Sequence, residues 1–209
     1  MDDVVRANAP YTELPFEFRH LQRLSAQSMA THLDLYRGYL KETNELCAAV
    51  RELQDEKAPR VPAHPREALS RRMSFELSGM RLHEWYFEQL SGRPSARAPA
   101  SSSVAAEAMD ICFGGFEKWR ADVRAVAETR GVGWVVSVWD PQVQHLANVW
   151  VDLHHLNAPA GQRVVYAVDL WEHAYWSDFG PKGRADYVSF LIENTDWTVV
   201  ERRFETPTA

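Results

Sequence analysis

The sequence predicts an α+β fold: an N-terminal antiparallel helical hairpin followed by a C-terminal α/β domain with a small three-stranded antiparallel sheet flanked by helices. Three observations carry this expectation. Apolar side chains recur at three- and four-residue spacing through the first part of the chain, as one face of a helix requires. Three later runs are rich in valine and aromatics, the composition of half-buried strands. A small, polar, proline-containing stretch separates the two regimes.

The elements follow in order. Ser25 is placed to cap a helix over AQSMATHLDLYRGYLKETNELCAAVRELQ, in which Met29, Leu33, Tyr36 and Leu40 share a face. The segment DEKAPRVPAHP carries three prolines, each lacking an amide donor, and ends that helix. A second helix is expected from about Arg66 to Leu90, with Leu69, Met73, Leu77, Met80 and Phe87 on one stripe. SGRPSARAPASSS, Ser91 to Ser103, reads as the boundary, which divides the chain into a hairpin domain over 1–95 and an α/β domain over 96–209. AAEAMDICFGGFEKWRADVRAVAETRG reads as a helix interrupted at Gly114-Gly115 and ended by Gly131. GWVVSVW, HLANVWVDL and RVVYAVDL are the strands, and the tail DYVSFLIENTDWTVVERRF reads as helical. No internal repeat is visible.

Composition narrows the function classes. With 209 residues and 45% hydrophobic content the chain can bury a sizeable core. A net charge of −6 argues against nucleic acid as a partner, because phosphate binding wants a basic face. No apolar run approaches the roughly 20 residues needed to cross a bilayer, so no membrane partner is expected. The start, MDDVVRANAPY, lacks the basic and apolar regions of a signal peptide. The two cysteines, Cys47 and Cys112, make neither a disulfide framework nor a CxxC pair, and a cytoplasmic protein is the simplest expectation. The chain also carries eight tryptophans and eight histidines, which makes metal binding worth testing.

Asp169 ends an apolar strand and His173 follows four residues later in DLWEHAYW. If the chain turns into a helix there, carboxylate and imidazole can converge on one ion, and such oxygen and nitrogen ligands suit Fe, Mn or Zn. The pair alone is a weak signal. His83 on the second helix and His32 on the first each read singly as an ordinary hydrogen-bonded or surface histidine. Periodicity does not bring the four together, although a buried ionised aspartate calls for a strong partner such as a metal.

A resemblance adds to these residues. DLWEHAYW closely resembles the D-x-W-E-H-A-Y-Y signature of iron/manganese superoxide dismutases. LSAQSMATH, ending at His32, is similar to that family's I-S-x-x-T-x-x-x-H segment, and LSGMRLHEWYF to its A-G-x-x-N-H-x-x-x-W segment. FGGFEKWRADV, GVGWVVSVW and HHLNAPAG resemble the family's F-G-S-F-x-x-F, G-S-G-W and Q/H-x-x-N-x-P-x-G stretches. The match runs in order from about Tyr11 to Phe204. It implies one Fe or Mn ion per subunit, bound between the two domains by His32, His83, Asp169 and His173, with Trp134 and Trp171 in an apolar shell around it. It implies that His154 stands beside the metal-bound solvent, since the alternative helix position is Gly79; a slip of one residue would exchange it for His155. It further implies a homodimer in which Glu172 reaches the partner's ligand histidine.

The chain departs from the family where substrate enters. Four and eight residues after the first ligand the family has a gateway His and Tyr; here those positions hold Tyr36 and Leu40. Tyr39 fits only if one residue is deleted within the helix, which turns everything beyond it by about 100° unless a local bulge absorbs the change. Trp176 replaces the second tyrosine after H-A-Y, and Leu82 stands where Asn is usual. The implied activity is superoxide dismutation, with His154, Tyr39 and Trp134 as the catalytic groups and superoxide or another oxygen species as the small substrate. A metal-dependent oxidase or oxygenase with a remodelled funnel and a non-catalytic relative are the alternatives.

Overall fold

A computed structural model describes residues 9–18, 21–54, 63–92 and 96–205. The hairpin consists of α1 (Ala26–Gln54) and α2 (Ala63–Ser91). Ser25 caps α1 as its position suggests, its hydroxyl accepting from the Ser28 amide at 3.1 Å. Residues 55–62 of the proline-bearing break, and 93–95 beside the expected domain boundary, lie outside the described residues. The segment over 9–18 is strapped along the hairpin: the Asn44 amide donates to Tyr11 O at 2.9 Å, and the Tyr11 amide returns a bond to Asn44 Oδ1 at 2.8 Å.

Beyond the hairpin come α3 (Val104–Phe113) and α4 (Phe116–Ala127). The interruption between them is made by Gly114 and Gly115 at φ 80° and 116°, which side-chain-bearing residues rarely adopt. α4 stops at Ala127, short of the expected Gly131, because the Glu128 and Thr129 amides bond three residues back and tighten the last turn. After the sheet comes α5 (Glu172–Phe179), and the predicted helical tail is two helices rather than one, α6 (Arg184–Glu193) and α7 (Trp197–Glu205). Asp196 separates the last two, its carboxylate accepting from the Thr198 amide at 3.1 Å while its own amide bonds Gln89 O at 2.8 Å.

The sheet is antiparallel in the order β2-β1-β3, with β1 (Gly133–Asp140) between β2 (His145–Asp152) and β3 (Arg163–Asp169). β3 is an edge strand, and α2 and α7 cover its open side. The Gln89 carboxamide donates to Ala167 O at 2.6 Å and accepts from Ala167 N at 3.2 Å, imitating a neighbouring strand for one residue. Arg203 from α7 donates to Val165 O at 3.1 Å and to Trp85 O and Glu88 at 2.8 Å. Below the sheet, Trp197 stacks on Tyr166 (6.0 Å, 7°) and Trp119 packs edge-on against both, with its indole donating to Ser137 at 3.2 Å. These large, rigid side chains fix the sheet against α3, α4 and α7, so the ends of β1 and β3 are held where the chemistry sits.

Candidate metal centre

Four elements each contribute one polar side chain to a single buried point. His32 comes from α1, His83 from α2, Asp169 from the last residue of β3, and His173 from the first turn of α5. One ligand-capable atom from each lies within 4.8 Å of every other. Asp169 Oδ2 is 3.0 Å from His32 Nε2, 3.2 Å from His173 Nε2 and 3.5 Å from His83 Nε2. Asp169 and His83 are fully buried and His32 nearly so, while His173 keeps a side-chain exposure of 21%.

The local chain explains the geometry. Trp134 and Asp169 are cross-strand partners, so β1 delivers the indole directly beside the carboxylate. The Trp171 amide donates to Asp169 Oδ1 at 2.9 Å as the chain turns from strand into α5, leaving Oδ2 facing the histidines. His83 Nδ1–H donates to Gly79 O at 2.7 Å, one turn back on α2. That bond fixes the tautomer and turns the Nε2 lone pair inward, where it has no hydrogen-bond partner.

Electrostatics point the same way. Burial pushes His32 and His83 down, His83 well below the usual imidazole range, so both are neutral near neutral pH, the form in which an imidazole can offer a lone pair to a metal. Burial would push Asp169 up, but the facing His173 and His32 reverse this and hold its carboxyl well below the usual carboxylate range. An ionised carboxylate, three inward imidazole nitrogens and an orphaned Nε2 together fit a divalent or trivalent cation, and the hard oxygen and borderline nitrogen donors suit Fe or Mn.

The wall beside this point is aromatic. Tyr39 stacks on His83 at 5.1 Å and 30°, Trp134 meets His83 edge-on at 5.0 Å, and Trp171 lies flat on His154 at 4.9 Å and 13°. His154, buried to 1% exposure, links two of them: Trp134 Nε1–H donates to its Nδ1 at 3.0 Å, and its Nε2 lies 2.8 Å from the Tyr39 hydroxyl. An indole only donates, so Nδ1 carries the lone pair and Nε2 the proton. Burial pushes His154 down to about 4, keeping it neutral, so Nε2–H donates to Tyr39 Oη and the phenol's own proton is free to point into the site. His155 is half-buried and packs edge-on against Phe75 at 5.6 Å, while it is His154 that stands between Trp134 and Tyr39.

Tyr39 reaches the site because α1 is an uninterrupted α-helix from Ala26 to Gln54, so a residue seven after His32 lies two turns on and on the same face. Tyr36 is instead buried away from the entrance, donating to Glu84 Oε1 at 3.1 Å and accepting from the Leu14 amide at 3.2 Å. Two contributors were not anticipated. Phe75 packs on Tyr39 and His154 at 6.0 and 4.8 Å, and Gly79 leaves room for Tyr39, since a Cβ there would lie 2.8 Å from Tyr39 Cδ1. Glu172 and Trp176, one turn apart on α5, are both exposed.

Residues 101–203 match the profile described as iron/manganese superoxide dismutases, C-terminal domain. The chain is 32% identical over 194 residues to superoxide dismutase [Mn] 2 of Haloferax volcanii, covering 92% of this chain and 93% of that one. It is 30% identical over 187 residues to superoxide dismutase [Fe] of Cupriavidus metallidurans (88% and 90% covered), and 29% identical over 195 residues to superoxide dismutase [Fe] of Pyrobaculum aerophilum (92% and 90%).

Proposed function

The chain belongs to the iron/manganese superoxide dismutase family, and from that premise we propose that it converts superoxide to O₂ and hydrogen peroxide with one Fe or Mn ion per subunit. The observation that carries this reading is the convergence of four buried ligand-capable atoms within 4.8 Å of one another. His32, His83, Asp169 and His173 would hold the ion, with Asp169 offsetting part of its charge. A bound ion of either metal supplies the one-electron couple that oxidises one superoxide and reduces the next. The protein's own share is to exclude water with Trp134, Trp171 and Phe75 and to hold a proton for the reduced product at Tyr39 Oη. His154 and Trp134 act on that proton by orienting it: with both His154 nitrogens engaged, the phenol is the donor that faces the substrate. The oxidase alternative drew its support from the missing gateway His and Tyr; Tyr39 lining the site removes the tyrosine part of that support, and the superoxide dismutase relatives do not favour the alternative.

The accompanying readings are a division into domains 1–95 and 96–209 with the ion between them, a cytoplasmic location, and a homodimer through Glu172. Ligands drawn from α1 and α2 on one side and from β3 and α5 on the other support the first. The free thiols Cys47 and Cys112, and the lack among the described residues of any helix long and apolar enough to cross a membrane, agree with the second. Exposure of Glu172 and Trp176 on one face, next to His173, supports the third; light scattering should give a dimer for the wild type and a monomer for Glu172→Ala, and a monomeric wild type would contradict it. For the activity itself, the protein is loaded separately with Fe and with Mn, metal content is measured, and superoxide decay is followed on the same sample. Rapid decay at near-stoichiometric occupancy is expected with one of the two. Full occupancy with decay no faster than free buffer would sink the reading.

A further inference from the structure

Between the C-terminal end of α4 and the start of α6 lies a cavity of about 250 Å³ that shares no residue with the His/Asp cluster. Its wall carries Arg124 and Glu128 from α4 and Lys182 and Arg184 from the approach to α6, over an apolar floor of Ala127 and Val188. Among the described residues none of the three cations forms an ion pair, although Glu128 stands in the same wall. The net charge at the cavity is therefore about twofold positive in a chain whose overall charge is −6.

Arg184 is the most informative of the three. Its guanidinium lies over the Trp150 ring at 5.3 Å, and its Nη1 makes one long bond to Gly131 O at 3.4 Å. Its Nε and Nη2 are shielded from solvent and have no partner. Buried donors are almost always satisfied, and those of a cation cost most when they are not, so two orphaned N–H groups on one guanidinium call for an acceptor. Desolvation pushes the Arg184 pKa down, with no carboxylate close enough to restore it. α6 begins at the same wall: no side chain caps its Gly183 end, although Asp186 in its first turn offsets part of the positive end of the helix.

We propose that this cavity binds a phosphate group, either free or carried by a small phosphomonoester, on Arg124, Lys182 and Arg184. A dianion balances the twofold excess of positive charge, and a guanidinium with two free donors suits a phosphate edge. The occupied site is a ligand site of the folded chain and takes no part in dismutation.

The test is calorimetric titration of the metal-loaded protein with inorganic phosphate, and separately with glycerol 3-phosphate, at low ionic strength. Because an open metal can also take an anion, the deciding comparison is Arg124→Ala/Lys182→Ala, which leaves the His/Asp cluster untouched. One phosphate per chain is expected for the wild type. Each single alanine variant should weaken binding about tenfold, the double variant should abolish it, and metal content and dismutation rate should stay at wild-type values. Glu128→Gln should tighten binding severalfold, a change of sign that general instability would not produce. Tighter binding of either probe supports the site and tells the free ion from the monoester. Absence of binding of both probes, or binding that the double variant leaves unchanged, overturns it.

Discussion

Substituting Gly79→Ala separates packing from proton delivery in this site. Gly79 lies inside α2, where alanine is the better helix former by about 1 kcal/mol. The added Cβ would stand 2.8 Å from Tyr39 Cδ1 and 3.1 Å from its Cγ and Cε1, where ordinary contact begins at 3.4 Å, so the ring must retreat by 3.4 − 2.8 = 0.6 Å. It cannot retreat freely, because His83 and Phe75 also pack on it and His154 holds its hydroxyl. Overpacking of this kind costs about 1–3 kcal/mol, which offsets the helix gain and leaves a net loss of about 0–2 kcal/mol. At about 2–4 °C per kcal/mol for a chain of this size, the melting temperature falls by no more than about 8 °C. The 2.8 Å bond to His154 stretches or breaks, and the phenol loses its orientation. A positioned general acid is worth about 10²–10⁴ in rate, so partial misplacement should cost about tenfold in the proton-limited rate. Stopped-flow superoxide decay against pH, with a thermal melt on the same preparation, reads both quantities. Tyr39→Phe is the companion, expected to lose more rate, and to lose about 1–3 kcal/mol for the His154 Nε2–H it leaves without an acceptor. If Gly79→Ala melts and dismutates like the wild type at every pH, the notch at Gly79 does not position Tyr39 and the reasoning fails.

Other outcomes follow from the same geometry. His154→Gln should retain most activity, since a carboxamide can accept from Trp134 and donate to Tyr39, whereas His154→Leu should match Tyr39→Phe; equal losses in both would refute the orienting role. Burial raises the Tyr39 phenol to about 12, so its protonated form is favoured in the folded state. That contribution is fully present below the unfolded value near 10 and is lost as pH rises towards 12, so melts of the metal-free protein should lose stability above pH 10 and those of metal-free Tyr39→Phe should lack that part of the loss. In metal-free protein the depressed Asp169 pKa adds stability at pH values above the ordinary carboxylate value of about 4, and this is lost as pH falls below it. Melts of the metal-free Asp169→Asn variant should therefore lack part of the acid-side decline.

The hairpin and the strands were legible because their signal is local: a 3.6-residue apolar period in α1 and α2, and valine-rich runs for the sheet. Helix ends were less so. Ala127 rather than Gly131 ends α4 because backbone amides closed the turn early, which no side chain announces. The break before α7 could have been read from Asn194 and Asp196, both capping residues, inside an otherwise helical tail. The four clustered side chains stood out only as parts of motifs, since convergence from four elements is a tertiary fact. Tyr39 shows the limit from the other side. Its place depended on whether the one-residue deletion turned the helix or was absorbed by a bulge, and only the regular α1 returns a residue seven after His32 to the same face. Phe75 and Gly79 act wholly through contacts across the hairpin, one by filling space and one by leaving it empty, and neither has a pattern along the chain.

Gln89 completes the edge of β3 from a position six residues beyond His83 on α2, two residues short of Asp169 along the strand. Its carboxamide is thus a spacer of fixed length between the helix that carries one imidazole and the strand that carries the carboxylate. Fluctuations that lift the hairpin off the sheet must first break this pair of bonds, and they separate His83 from Asp169 in the same movement. The rate at which the protein gives up a bound ion to a chelator is then a clock for hairpin undocking, and shortening Gln89 to Asn should make that clock run faster without touching any atom of the centre.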